Sequence, residues 1–217
     1  MSYANPLRGM TGLRAERIDQ GIDFAGIGPI YAIGNGVVVN TLNAGWPGGA
    51  FICYRLTEGQ YTGKYVYAAE DIHPAVSVGQ TVTSNTVLGT VFSGGSGIET
   101  GWAAAPGTGE TMARAAGQIA QPPQDPGMVS SAYGVAFSGF LKYLGAPAGI
   151  KQAVVLGTVP ADYEPPSTTP PPSPAGKTIS AVRVNFSDGT AMSLPVTGKK
   201  VAKLVVSFSA GTPQVLP

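Results

Sequence analysis

Carboxylates are the only groups here whose type and spacing could do chemistry together. Asp19 and Asp23 stand four residues apart in Arg17-Ile18-Asp19-Gln20-Gly21-Ile22-Asp23-Phe24, and Glu99 lies downstream in Ile98-Glu99-Thr100-Gly101-Trp102. Brought together, they would form an oxygen-donor site better suited to calcium or magnesium than to zinc. The alternative is that Asp19 and Asp23 are solvated or hydrogen-bonded turn residues. Imidazole and thiolate are almost missing: the 217 residues include one His, His73, and one Cys, Cys53. A catalytic zinc needs three protein ligands and an open position, with each imidazole held by an outer partner. No His-rich centre can be assembled from this chain.

His73 lies in Glu70-Asp71-Ile72-His73-Pro74, where the following proline keeps the backbone out of the helical region. It reads as a surface residue of a loop. Cys53, inside Ala50-Phe51-Ile52-Cys53-Tyr54, reads as a small buried hydrophobe. Gly94-Gly95-Ser96-Gly97 lacks the spacing of a nucleophile elbow. The expectation is therefore no catalytic residue, no metal and no cofactor.

The elements that would position these groups read as mainly β. Tyr31 to Thr41, Gly49 to Leu56, Lys64 to Ala69 and Gln80 to Phe92 are apolar, β-branched or aromatic runs broken by glycine and asparagine turns. Ala103 to Pro126 is rich in Ala, Gly, Pro and Gln, with some helix expected around Glu110 to Ala120. Tyr133, Phe137, Phe140, Leu141 and Leu144 recur at helical spacing and predict a helix over 132–144, stopped by Gly145 and Pro147. That stripe reads as a face docked on the sheet. The expected organisation is a β domain over 1–118, an extension over 119–163, a Pro-rich linker over 164–175 and a small β module over 176–217. The linker, Glu164-Pro165-Pro166-Ser167-Thr168-Thr169-Pro170-Pro171-Pro172-Ser173-Pro174, predicts an extended spacer. In the module, a hairpin around Ser187-Asp188-Gly189 would set Val184 opposite Met192 and Val182 opposite Leu194. A third strand would carry Ala202, Leu204, Val206 and Phe208. Such a small sheet needs cover on its apolar face, and a tethered module of this kind suits an assembly arm or a subdomain folded back on its own chain.

Charged residues are 12% of the chain, about half the roughly 25% of ordinary domains. The net charge of +1 and the lack of a basic block argue against nucleic acid and anionic membrane as partners. No run approaches a membrane span. The start MSYANPLRGM has no signal-peptide pattern. A surface this poor in charge suits a protein covered by neighbours, and equally a weakly charged secreted protein.

Arg17 to Asn40 resembles the opening of the lysostaphin-type zinc metallopeptidases, in which Gly21, Ile22, Asp23, Phe24, Gly28, Pro29, Ile30, Ala32, Gly36 and Val37 fall in register. Asp19 stands where that family has a zinc-binding His. Ala69, in Tyr67-Ala68-Ala69-Glu70, stands where it has a catalytic His. Val78-Gly79-Gln80-Thr81-Val82 matches a family strand and turn. Ile98 to Trp102 stands where the family has H-L-H-F-E, so Glu99 and Thr100 are further vestigial positions. Gly97 to Ala103, with the helix ending Phe140-Leu141-Lys142-Tyr143-Leu144-Gly145, resembles degenerate phage and actinobacterial relatives of these enzymes. The resemblance implies a peptidase-like antiparallel β fold whose reaction has been lost. The expected function is a non-enzymatic structural protein of a bacteriophage virion, a minor tail or tail-tip protein. Its partners would be other virion proteins, and copies of itself joined through 176–217. One alternative is a host-peptidoglycan binding module using Trp46, Tyr54, Tyr65, Tyr67 and Trp102, whose flat rings suit sugar and peptide. The other is an active hydrolase with atypical ligands.

Overall fold

The computed structural model describes residues 3–42, 45–93, 97–119 and 129–166, and in the C-terminal part the strands within 181–185, 191–195, 205–206 and 214–215. The chain forms two compact units, Met1–Pro166 and Ser167–Pro217.

The first unit is mainly β, as its turn-punctuated apolar runs predict. Its strands are β1 (Thr11–Ile18), β2 (Ile22–Tyr31), β3 (Gly36–Leu42), β4 (Ala50–Leu56), β5 (Tyr65–Glu70), β6 (Ile72–Pro74), β7 (Thr81–Val82), β8 (Val87–Val91) and β9 (Ile98–Ala103). After them come the short helix α1 (Met112–Ala115), β10 (Val129–Ser131), α2 (Ala132–Tyr143), β11 (Ile150–Lys151) and β12 (Val154–Leu156). One sheet runs in the order β11-β1-β2-β9-β5-β4-β3-β7. β8 pairs with the distal half of β2, and β6 with β8. These pairings are antiparallel except β1 with β11. The expected strand over Gln80 to Phe92 is split into β7 and β8 by the Thr83–Thr86 turn.

Strand alternation gives the central sheet two faces. Ile52, Tyr54, Val66, Ala68 and Trp102 join the main core with Phe137, Phe140 and Leu141 of α2. Phe51, Cys53, Tyr67, Ala69 and Ala103 form a second, smaller cluster. Because both faces are covered, β4 and β5 read as nearly continuous apolar runs rather than alternating ones.

α2 lies within the predicted helix span. The Ser131 hydroxyl accepts from the Gly134 amide at its N-terminus. Leu144 caps its C-terminus, and Gly145 follows at φ 85°, the left-handed position that stops a helix. Its aromatic stripe docks on β9: Phe137 and Trp102 meet edge to face at 4.9 Å, and Tyr61 fills the space between Trp102 and Phe140. No helix among the described residues is long and apolar enough to cross a membrane.

In the second unit, β13 (Ala181–Asn185) and β14 (Ala191–Pro195) pair antiparallel with Val182 opposite Leu194 and Val184 opposite Met192, the register the hairpin pattern predicts. β15 (Val205–Val206) pairs with β16 (Gln214–Val215), so among the described residues the expected third strand joins a separate ladder. The turn residues Ser187 to Gly189, the linker from Ser167 onward, and Ala202, Leu204 and Phe208 lie outside the described residues.

Candidate functional site

The site begins with a row across three strands. Asp23 of β2 is opposite Glu99 of β9, and Glu99 is opposite Ala69 of β5. Directly opposed side chains share one face, so backbone pairing alone sets these three side by side. Thr100, one residue on, leaves the row; its hydroxyl donates to the Tyr67 carbonyl at 2.6 Å. Of the two positions singled out on β9, Glu99 alone therefore stands beside Asp23.

Asp19 joins the row from the turn before β2. That turn is clamped by the extension: the Ser130 hydroxyl donates to the Ile18 carbonyl at 2.6 Å, and the Ser131 amide to the Asp19 carbonyl at 2.8 Å. The result is a buried trio, Asp19, Asp23 and Glu99, offering oxygens that all lie within 4.8 Å of one another. Glu70 borders it. Glu70 has φ 83°, a left-handed conformation uncommon for a non-glycine residue, and interrupts the alternation at the end of β5.

Each carboxylate has partners that spacing did not reveal. Arg17 Nε lies 2.8 Å from Asp23 Oδ2 and 3.2 Å from Asp19 Oδ2. The Tyr67 hydroxyl donates to Glu99 Oε1, and Gln20 Nε2 to Glu99 Oε2 at 3.3 Å. Gln20 Oε1 in turn accepts from the Thr111 hydroxyl, the N-cap of α1, at 3.1 Å. Asp19 Oδ1 accepts from the Gln20 amide at 2.5 Å. Asp23 Oδ1 is buried and has no hydrogen-bond partner among the described residues. Gly21 and Gly101 leave room for this packing. A methyl at Gly21 would overlap the Tyr67 hydroxyl and the Thr100 carbonyl, and one at Gly101 would come 2.9 Å from the Tyr67 ring.

The electrostatics follow from crowding several acids around one guanidinium. Burial, then the neighbouring Asp19, pushes Asp23 up to about 7 against the pull of Arg17. Burial and the charges of Asp23 and Asp19 push Glu70 up to about 8. Burial and the same aspartates hold Glu99 well above the carboxylate range. Burial opposes the charge on Arg17, but Asp23 and Asp19 outweigh it and raise its pKa above the usual arginine value. Near neutral pH, one fixed cation and shared protons offset the negative charge.

These residues do not fit zinc. Zinc sites are built from imidazole and thiolate with at most a minority of carboxylates. Here all three donors are carboxylates, and two already share a guanidinium. Ala69 offers no group for proton transfer. His73 is exposed on β6, stacked on Phe92 at 4.6 Å. Cys53 is fully buried, and burial pushes its thiol up to about 12, as befits a core residue.

The proposed groove aromatics divide between the two faces. Tyr67 and Trp46 lie on the face of the carboxylate row, Trp46 resting 5.4 Å from Phe51 and 5.5 Å from Tyr67. Trp46 is half-buried, donates to the Gly109 carbonyl at 3.2 Å, and has the Arg114 guanidinium over its ring at 5.7 Å. Tyr65 borders the same cluster. Tyr54, Trp102 and Tyr67 are corrections: none is more than 1% exposed, Tyr54 and Trp102 pointing into the main core and Tyr67 into the smaller cluster. The Tyr54 hydroxyl accepts from the Ile33 amide at 2.8 Å, and Trp102 is enclosed by Tyr61, Phe137 and Tyr163. The aromatic stripe of α2 required such partners. Arg17, Gln20 and Glu70 were missed because their roles arise from contacts between elements.

No protein-family model matches this chain, and no curated protein is detectably similar to it. Among solved structures, the NMR solution structure of lysostaphin aligns with a TM-score of 0.42 at 15% identity, over 88% of this chain and 65% of that one.

Proposed function

We propose that this protein is a non-enzymatic structural component of a bacteriophage particle, a minor tail or tail-tip protein, built on a scaffold derived from cell-wall endopeptidases. One observation carries the loss of catalysis. The positions that the resemblance assigns to metal and proton transfer, Asp19, Asp23, Glu99 and Ala69, come together in space, yet they hold three carboxylates, a methyl group and a bridging arginine. Nothing there can hold zinc in its usual donor set or act as an imidazole base. The low charge and the separate C-terminal β unit support a role within an assembly.

Two measurements test this. Metal analysis of the purified protein is expected to give well under one zinc per chain, and incubation with purified cell walls to release no fragments. Stoichiometric zinc that disappears in Asp23→Asn, together with wall cleavage, would refute it. For the virion role, the product should be found in purified particles, and its detection only in the soluble lysate would count against it.

A second reading is favoured by Trp46, a half-buried ring on the carboxylate-row face. Such a ring could hold a glycan or peptide strand of the host wall. Co-sedimentation with purified peptidoglycan that is weakened in Trp46→Ala would support it, and failure to sediment would remove it.

A further inference from the structure

We infer that Arg17 is the built-in cation of this pocket, occupying electrostatically the place a metal would take and closing the pocket to divalent ions. The inference rests on the reading of the pocket as metal-free, but it makes a separate claim: what holds the carboxylates together, and what keeps a metal out, is the same guanidinium.

Geometry leads here. Asp19, Asp23 and Glu99 are buried acids within 4.8 Å of one another, a juxtaposition that is unfavourable unless something positive compensates. The compensating cation comes from the same strand hairpin, two residues before Asp19. Its Nε bridges Asp19 and Asp23, and its charge also acts on Glu99. A bridging guanidinium and a metal compete for the same carboxylate lone pairs, so each excludes the other. The remaining hydrogen-bond partners, which include the Tyr67 hydroxyl and the Gln20 side-chain amide at Glu99 and the Gln20 backbone amide at Asp19, bring no second positive charge among the described residues. The second oxygen of Asp23, buried without a partner, is the acceptor a metal would add to its shell if the guanidinium were removed.

The test uses the full chain, with Mn2+ as probe, read by thermal unfolding and by titration calorimetry. The wild type should show no heat of binding and no change in Tm between EDTA and about 5 mM Mn2+. Arg17→Gln removes the charge, keeps a polar side chain, and should gain a site: its Tm should rise by at least about 3 °C with the same Mn2+. Adding Asp23→Asn to that variant should abolish the gain. Arg17→Lys, which keeps a point charge, should stay as indifferent to Mn2+ as the wild type. If Arg17→Gln is unfolded alone, recovery of native circular dichroism on adding Mn2+ supports the inference, and no recovery overturns it. A folded Arg17→Gln that ignores Mn2+ overturns it while leaving the non-enzymatic reading intact. A wild type that already binds Mn2+ tightly overturns this inference, and wall cleavage in the presence of metal would overturn both.

Discussion

Asp23 and Glu99 are direct cross-strand partners, two buried acids placed side by side by the pairing of β2 with β9. Like charges in that relationship destabilise a sheet, and here the arrangement is tolerated through Arg17, the Tyr67 hydroxyl and shared protons. The stability of the fold should therefore respond to pH in a direction opposite to that of ordinary salt-bridged carboxylates.

The sign follows from the raised values. Asp23 titrates at about 7 when folded against 3.8 when free, and Glu70 at about 8 against 4.5. Between the free and folded values, the native state holds protons that the unfolded chain has released. Their contribution is complete below about pH 4 and is lost as pH rises through about 7 to 8. Thermal unfolding should give a higher Tm at about pH 5.5 than at about pH 8.5, with a smaller difference in Glu70→Gln. A Tm that climbs over that interval would contradict the argument.

Gly21 should be intolerant of any side chain. Gly21→Ala places a methyl against the Tyr67 hydroxyl and the Thr100 carbonyl, and overpacking of this kind costs about 1–3 kcal/mol. Urea unfolding measures it, and a neutral result would mean that Tyr67 can swing aside.

The two tryptophans should behave differently. Trp102 is 1% exposed among Tyr61, Phe137 and Tyr163, so Trp102→Ala should destabilise by about 3–5 kcal/mol. Trp46 is half-buried, and Trp46→Ala should cost roughly 1–2 kcal/mol. Equal losses in chemical denaturation would place Trp46 in the core as well.

Introducing imidazole should create a zinc site. The triple variant Arg17→Gln, Asp19→His, Glu99→His leaves Asp23 in place and sets two imidazoles beside a carboxylate, a donor set zinc accepts. Dialysed protein should retain about one zinc per chain by metal analysis. A zinc content no higher than wild type would mean that Asp19, Asp23 and Glu99 do not converge as the β2–β9 register and the turn before β2 place them.

Much of this protein was legible from sequence because local physics set it. The turn-punctuated apolar runs specified a β protein, the spacing of Tyr133, Phe137, Phe140 and Leu141 specified α2, and the hairpin pattern at Ser187-Asp188-Gly189 set the pairing of Val182 with Leu194. The motif around Asp19 and Asp23 also marked where chemistry would be sought. Tertiary structure decided the rest. Strands β1 and β2 carry mixed polar and apolar residues because much of their surface is only partly covered, so their periodicity is weak. Tyr54 and Trp102 could not be told from groove aromatics until the sheet acquired two faces, one of them closed by α2. Above all, the ion pair of Arg17 with Asp23, and the placing of Asp23 beside an acid contributed by β9, depend on strand order. Electrostatic energy depends on distance in space, which the linear chain does not record.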